Sequence, residues 1–256
     1  SNAPSKNMCF DVKELARQCQ GFFELFRDEL QFVKSPSKAD KYKMLVMVTY
    51  TTEGTVYGGA YDDVIGALWL EPSRIKDARL NAAAHELGHS FQFQLSMDSG
   101  SGFDGGGIYE MTSQWMLWQT NPHWFDDETY HWNDYMKQTH YAFMHPDNMY
   151  HTCNLLEYWS FLHGPQFIAD LWRAAKKSND VVGVYKKLTG IDQDTFNDQN
   201  WDHAARQINY DIPRIKDACS KYANRHSSTL GSADAEGWRP IASNRAPGQY
   251  GYNGIK

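Results

Sequence analysis

Residues 85–89 read His-Glu-Leu-Gly-His, two imidazoles with a carboxylate between them. On an α-helix, side chains four positions apart share one face, one turn above the other. Two histidines so placed can hold a single zinc ion, and Glu86 between them lies close enough to act on a water at that ion. The same spacing also fits an ordinary amphipathic helix carrying two polar histidines. The flanks argue against that, since Ala82-Ala83-Ala84 and Phe91-Gln92-Phe93 suit a helix buried on most sides. Two histidines and a glutamate buried there without partners would be costly, and a metal supplies the partner.

A catalytic zinc usually takes three protein ligands and keeps one position open. The third should be a carboxylate or an imidazole from a following element. Gly105-Gly106-Gly107 leads into a segment that reads as a helix with Glu110 in its first turn, 21 residues after His89. That gap allows one helix to end, the chain to loop back and a second helix to pack on the first. The alternative role for Glu110 is an acid that favours the helix dipole.

The pattern His85-Glu86-x-x-His89 followed by a helical glutamate resembles the gluzincin clan of zinc metallopeptidases, the thermolysin-like group. Its tighter form, with Gly88 and Gln92, resembles the enhancin-like, mucin-active branch and related uncharacterised bacterial domains. The resemblance is specific over residues 81–118 and general elsewhere. It implies His85, His89 and Glu110 as metal ligands, Glu86 as the catalytic base, and a zincin-like α+β fold. In that fold a small mixed-sheet N-terminal lobe carries the active-site helix and a mainly helical C-terminal lobe follows. It also implies a secreted, cell-surface or periplasmic location. The metzincin pattern needs a third histidine six residues after His89, and position 95 is Leu.

Peptide hydrolysis at such a site calls for a second donor to steady the developing oxyanion. Tyr150 and His151 are the first candidates, with His140, Tyr141 and His145 behind them; each also has an ordinary structural reading. Gln114, one turn beyond Glu110, can hold the outward nitrogen of a zinc histidine. Gln92, one turn after His89, is the matching candidate on the first helix. The expected activity is a zinc-dependent endopeptidase acting on proteins or glycoproteins. The alternatives are a zincin-like module that binds glycan or protein without cleaving it, and a zinc hydrolase of a non-peptide amide or ester.

The elements that must position these groups are legible in outline. Residues 11–33 carry Leu15, Cys19, Phe22, Phe26 and Leu30 at helical spacing. Lys41 to Tyr50 reads as a buried strand closed by a turn at Thr51-Thr52-Glu53-Gly54, and Val64 to Leu70 as a second extended stretch. The metal helix is expected to begin near Asp77. In folds of the resembling kind the strand before that helix is an edge beside the cleft, to which a substrate can add as a further strand. Gly66 and Ala67 either let a backbone approach there or simply fit the interior. The glycine-dense run 99–107 delivers Glu110 or lines the site. From 107 to about 210 helices are predicted, broken at Asn121-Pro122, His145-Pro146, Gly164-Pro165, residues 178–180 and Gly190. The stretch from Trp115 to Trp159 is crowded with aromatic residues, which serve as core packing or as platforms for sugar rings.

The domain is taken as residues 1–226, with a lobe boundary near 98–106, and residues 227–256 as an irregular tail or a linker to a further domain. A chain of 256 residues can bury a sizeable core. A net charge of −6 offers no electrostatic case for nucleic acid or an anionic membrane, and no apolar run is long enough to span a bilayer. Ser1-Asn2-Ala3 has the look of a scar from tag removal, so a signal peptide is presumed to have been cut away. Cys9, Cys19, Cys153 and Cys219 form no Cys-x-x-Cys pair; two disulfides and buried thiols are both open to them.

Overall fold

The structure is a computed structural model that describes residues 5–51, 53–54 and 56–255. Ser1-Asn2-Ala3 and Thr52 of the expected turn lie outside these residues. The first helix, α1 (Val12–Glu24), starts where the Asp11 side chain accepts from the backbone N–H of Lys13 and Glu14, a standard N-cap. Its apolar stripe buries Leu15, Cys19 and Phe22. The helix then widens into a π-helical turn over Leu25–Glu29. It ends before the expected limit of residue 33, because Gln31 takes a left-handed φ of 56°.

The sheet is mixed and three-stranded, in the order β1 (Leu45–Val48), β3 (Ile65–Leu70), β2 (Tyr57–Tyr61). β1 runs parallel to β3 and β2 antiparallel to it. This corrects the expected place of the 64–70 stretch: it is the central strand, not an edge. Its Ile-Gly-Ala-Leu-Trp-Leu run is buried almost throughout, as a strand covered on both sides and paired on both edges should be. The edge beside the cleft is β2, whose Tyr-Gly-Gly-Ala-Tyr sequence carries little strand propensity. Gly66 is occupied from inside as well: a Cβ there would lie 2.7 Å from the Ser90 carbonyl oxygen. The backbone that approaches it is that of the following helix, not a substrate.

That helix, α2 (Asn81–Ser99), begins four residues later than expected because Asp77 is its anchor, accepting from the Asn81 N–H at 2.8 Å. It ends at Gly100, left-handed at φ 69°, whose N–H caps the Ser96 carbonyl. Nearly every residue from Ala83 to Leu95 is buried, with the sheet on one side and α3 (Gly107–Thr120) on the other. Two glycines set these separations. A Cβ on Gly58 of β2 would fall 1.9 Å from the Glu86 carbonyl oxygen, and one on Gly88 would fall 2.6 Å from Ser113 Oγ of α3. Only a residue without a side chain lets backbones meet so closely.

The rest is helical: α4 (Trp124–Asp127), α5 (Thr129–Gln138), α6 (Asn154–His163), α7 (Phe167–Ala174), α8 (Val181–Thr189), α9 (Gln193–Asn209) and α10 (Pro213–Cys219). One continuous core runs from α1 and the sheet through α2 and α3 into these helices. Most of the aromatic run lies in that core, with Trp115, Trp118, Trp124, Tyr158 and Trp159 essentially inaccessible. Glu157 of α6 is buried too. It is paired with Arg214 of α10 at 2.7 Å and accepts from Trp115 Nε1 of α3, while Arg214 also donates to the Trp118 carbonyl. A buried carboxylate with this many donors ties three helices together, and removing one partner would strand the others.

Residues 227–255 are irregular but folded back on the domain. Gly248 and Tyr252 donate to the carbonyls of His140 and Thr139, and the Tyr135 and Tyr252 hydroxyls meet at 2.8 Å. All four cysteines are free thiols, with Cys19, Cys153 and Cys219 buried. Among the described residues no helix is long and apolar enough to cross a membrane.

Candidate metal centre

His85 and His89 project from the middle of α2, and Glu110 from the first turn of α3. Their reactive atoms converge. His85 Nε2 and His89 Nε2 are 3.1 Å apart, and Glu110 Oε2 is 3.2 Å from each. The three residues form a group that can hold a metal ion. This brings together the three predicted ligands across the α2–α3 interface that Gly88 keeps narrow.

The outward ring nitrogens are held by amides. Gln114 gives its N–H to the Tyr150 carbonyl at 3.2 Å, so its oxygen faces His85 Nδ1 at 2.5 Å. Gln92 gives its N–H to the Tyr109 carbonyl at 2.9 Å, and its oxygen faces His89 Nδ1, also at 2.9 Å. An amide oxygen only accepts, so each histidine carries its proton on Nδ1 and turns the Nε2 lone pair inward. Two lone pairs and a carboxylate oxygen then confront one another in a half-buried site. Such a set repels unless a cation lies among its members. Burial alone would raise the Glu110 carboxyl; a ring that takes a proton at Nε2 donates it to Glu110, and such bonds from His85 and His89 outweigh burial and hold the carboxyl well below the usual range. For His89, burial opposes the charged form, and Glu110 overrides it to raise the pKa.

The group sits on the wall of a cleft of about 970 Å³ that runs past β2, Glu86, Tyr150 and His151. Glu86 is 7% exposed and opens onto the same cleft as the histidines that flank it in sequence. The Tyr150 ring lies 6.1 Å from that of His85. Its hydroxyl is pushed up to about 12 by burial and then by the negative charge of Glu110, so it remains a hydrogen-bond donor across the physiological range. His151 also lines the cleft, with its Nδ1 turned onto His131 Nδ1, 2.7 Å away. The other named candidates, His140, Tyr141 and His145, are not on the cleft wall. They cluster against one another near the tail, with ring centroids 4.5–4.6 Å apart. The glycine run reaches the cleft through Gly105 and Gly106, both at positive φ.

Sequence reading missed Glu128 and His131, which line the same cleft as the metal group. Their three-residue spacing at the start of α5 was the available signal, since such pairs share a helix face. Tyr109 was missed as well. Its ring runs nearly parallel to His89 at 6.3 Å and edge-on to Trp172 at 4.9 Å. Comparison with curated proteins and with solved structures gives no match. One family profile matches residues 1–256. By that full-length match the chain belongs to the family described as "Family of unknown function (DUF6055)".

Proposed function

We propose that the chain is a zinc-dependent endopeptidase. The observation that carries this reading is the triangle of His85 Nε2, His89 Nε2 and Glu110 Oε2, with edges of 3.1–3.2 Å, beside Glu86 in one cleft. Tetrahedral zinc with bonds of about 2.0–2.1 Å has ligand–ligand edges of about 3.3 Å. Two imidazoles and one carboxylate, with room for a fourth partner, is a set that catalytic zinc sites use. Bound there, zinc supplies Lewis acidity, making water acidic near neutral pH and polarising a carbonyl oxygen.

The chain's own groups would do the rest. Glu86 takes a proton from the attacking water and returns it to the departing amine nitrogen. Tyr150, still protonated, donates a hydrogen bond to the oxygen on which charge develops, and His151, the next residue and on the same cleft, becomes a second donor once its Nε2 carries a proton. Among the described residues β2 pairs only with β3, and Val56, Tyr57 and Gly58 line the cleft. Its outer edge can therefore hold an extended peptide by main-chain hydrogen bonds. The exposed rings of Tyr57, Phe93 and Tyr130 at the rim favour substrates that carry glycans, since such faces stack on sugars. Export to an extracytoplasmic compartment fits that substrate class.

Glu86→Gln is the test. The variant is expected to keep wild-type zinc content and lose about 10²–10⁴-fold in kcat on a peptide library. Wild-type protein no more active than the variant would overturn the catalytic reading. Retention of glycosylated ligands without cleavage would replace it with a binding role, and cleavage of simple esters or amides alone with a non-peptide hydrolase.

A further inference from the structure

Three further titratable side chains of the cleft are linked by short contacts. His151 Nδ1 and His131 Nδ1 are 2.7 Å apart. On its far side His131 Nε2 faces Glu128 Oε2 at 3.6 Å, an ion-pair distance rather than a hydrogen bond. Glu128 Oε2 is itself anchored by Trp124 Nε1 at 2.6 Å. All three line the cleft, and among the described residues His151 Nε2 has no protein partner. We propose that Glu128, His131 and His151 form a proton-transfer line whose open end is His151 Nε2 in the cleft.

The geometry restricts the protons. Between two Nδ1 atoms 2.7 Å apart there is room for one hydrogen, so one ring donates and the other accepts. With Glu128 anionic, His131 carries its proton on Nε2 toward the carboxylate. Its Nδ1 then accepts from His151 Nδ1–H, and His151 offers the cleft a lone pair. A proton arriving at His151 Nε2 reverses every link. His151 Nδ1 passes its hydrogen to His131 Nδ1, His131 Nε2 passes its own to Glu128, and His151 now offers the cleft an N–H donor. One proton enters, two move along, and neither ring is left as an imidazolium. The last transfer requires Glu128 and His131 to close by about 0.7 Å, a tightening common when a site engages its substrate.

The surroundings favour this over two charged rings. Burial, then the neighbouring His151 and His85, pushes His131 down to about 3, against the charge of Asp134. Burial also lowers His151, which faces the same Asp134. Glu128 is raised, first by burial and then by Asp77; Trp124, His85 and Arg74 oppose the rise. Tyr130 packs on His131 with ring centroids 4.2 Å apart and stays protonated, raised by burial and by Glu128. A raised carboxyl at one end and depressed imidazoles in between bring the neutral forms within reach of each other. By this assignment His131 and Glu128 are positioning residues and His151 is the group that meets the reacting atoms. Only the kinetic part of the test rests on the peptidase reading.

The experiment is a ¹H–¹⁵N tautomer titration of the zinc-loaded full chain, labelled at histidine, from pH 8 to pH 5. In the wild type His151 should start as the Nδ1–H form and His131 as the Nε2–H form, and the two should exchange tautomers together as the pH falls. Glu128→Gln, which still accepts from Trp124 but cannot take a proton, should abolish the exchange. It should also lower kcat about ten- to a hundredfold, with KM within about twofold. Rings that titrate independently to imidazolium, or that share one tautomer throughout, would overturn the proposal even if the variant failed to fold. So would a folded Glu128→Gln with the wild-type exchange and kcat. A wild type that cleaves no peptide would sink the peptidase reading alone, and the tautomers would still decide the line.

Discussion

The two histidine pairs that line the cleft are held by opposite chemistry. His85 and His89 each turn Nδ1 to a glutamine oxygen, through Gln114 and Gln92. His131 and His151 turn Nδ1 to each other, with Glu128 behind. An amide does not change protonation near neutral pH, so the first pair is fixed as two lone-pair donors, which suits holding a cation. An imidazole and a carboxylate can each take up or release a proton, so the second pair suits moving one. Both pairs use the same residue type, and the partner decides the task.

The largest effect is expected at the candidate metal ligands. His89→Ala removes one corner of the triangle and should abolish stoichiometric zinc binding, measured by elemental analysis after dialysis. Retention of one tightly held zinc per chain would show that the ion sits elsewhere. Gln92→Leu and Gln114→Leu probe the amides themselves. Each keeps all three ligands but frees one Nδ1, and each should weaken zinc binding about 10–100-fold in a competition titration with a chelator. An unchanged Kd would mean the ring orientation is fixed by packing alone.

A third kind of histidine has neither an amide nor an imidazole partner, and its expected effect is smaller. His203 is buried against Tyr158, and its Nε2 has no hydrogen-bond partner. Burial lowers its pKa to about 4, with Asp202 opposing. Unfolded, the ring takes a proton near pH 6.5; folded, it does not until about pH 4. The unfolded state therefore binds more protons between those values, and stability falls as the pH drops through that window. Urea unfolding at pH 7.5 and pH 5 should show the wild type losing about 2 kcal/mol more than His203→Phe. Equal losses would mean that His203 charges within the fold.

The legible parts of this protein are those written in local spacing. His85, Glu86 and His89 share a helix face by their intervals alone, and Gln92 and Gln114 follow one turn beyond a ligand on their own helices. The four-residue delay in the start of α2 was hidden because Asp77 caps from outside the helix through its side chain. β2 was overlooked because its glycines answer to α2, not to strand propensity: Gly58 is required by the Glu86 carbonyl 28 positions away in the chain. The exchange of edge and centre in the sheet has the same origin. Nothing within residues 64–70 says which neighbours will flank them. The pairing of His131 with His151, and that of Glu157 with Arg214, join residues 20 and 57 positions apart. Only the packing of the helices makes such pairs neighbours.

On the proposed reading, His85 and His89 of α2 and Glu110 of α3 share one metal ion. Crystals of the zinc-loaded protein, measured on both sides of the zinc absorption edge, test it directly. A single strong anomalous peak is expected about 2.0–2.2 Å from His85 Nε2, His89 Nε2 and a Glu110 carboxylate oxygen. No peak at that position, or a peak that leaves Glu110 outside bonding range, would contradict it.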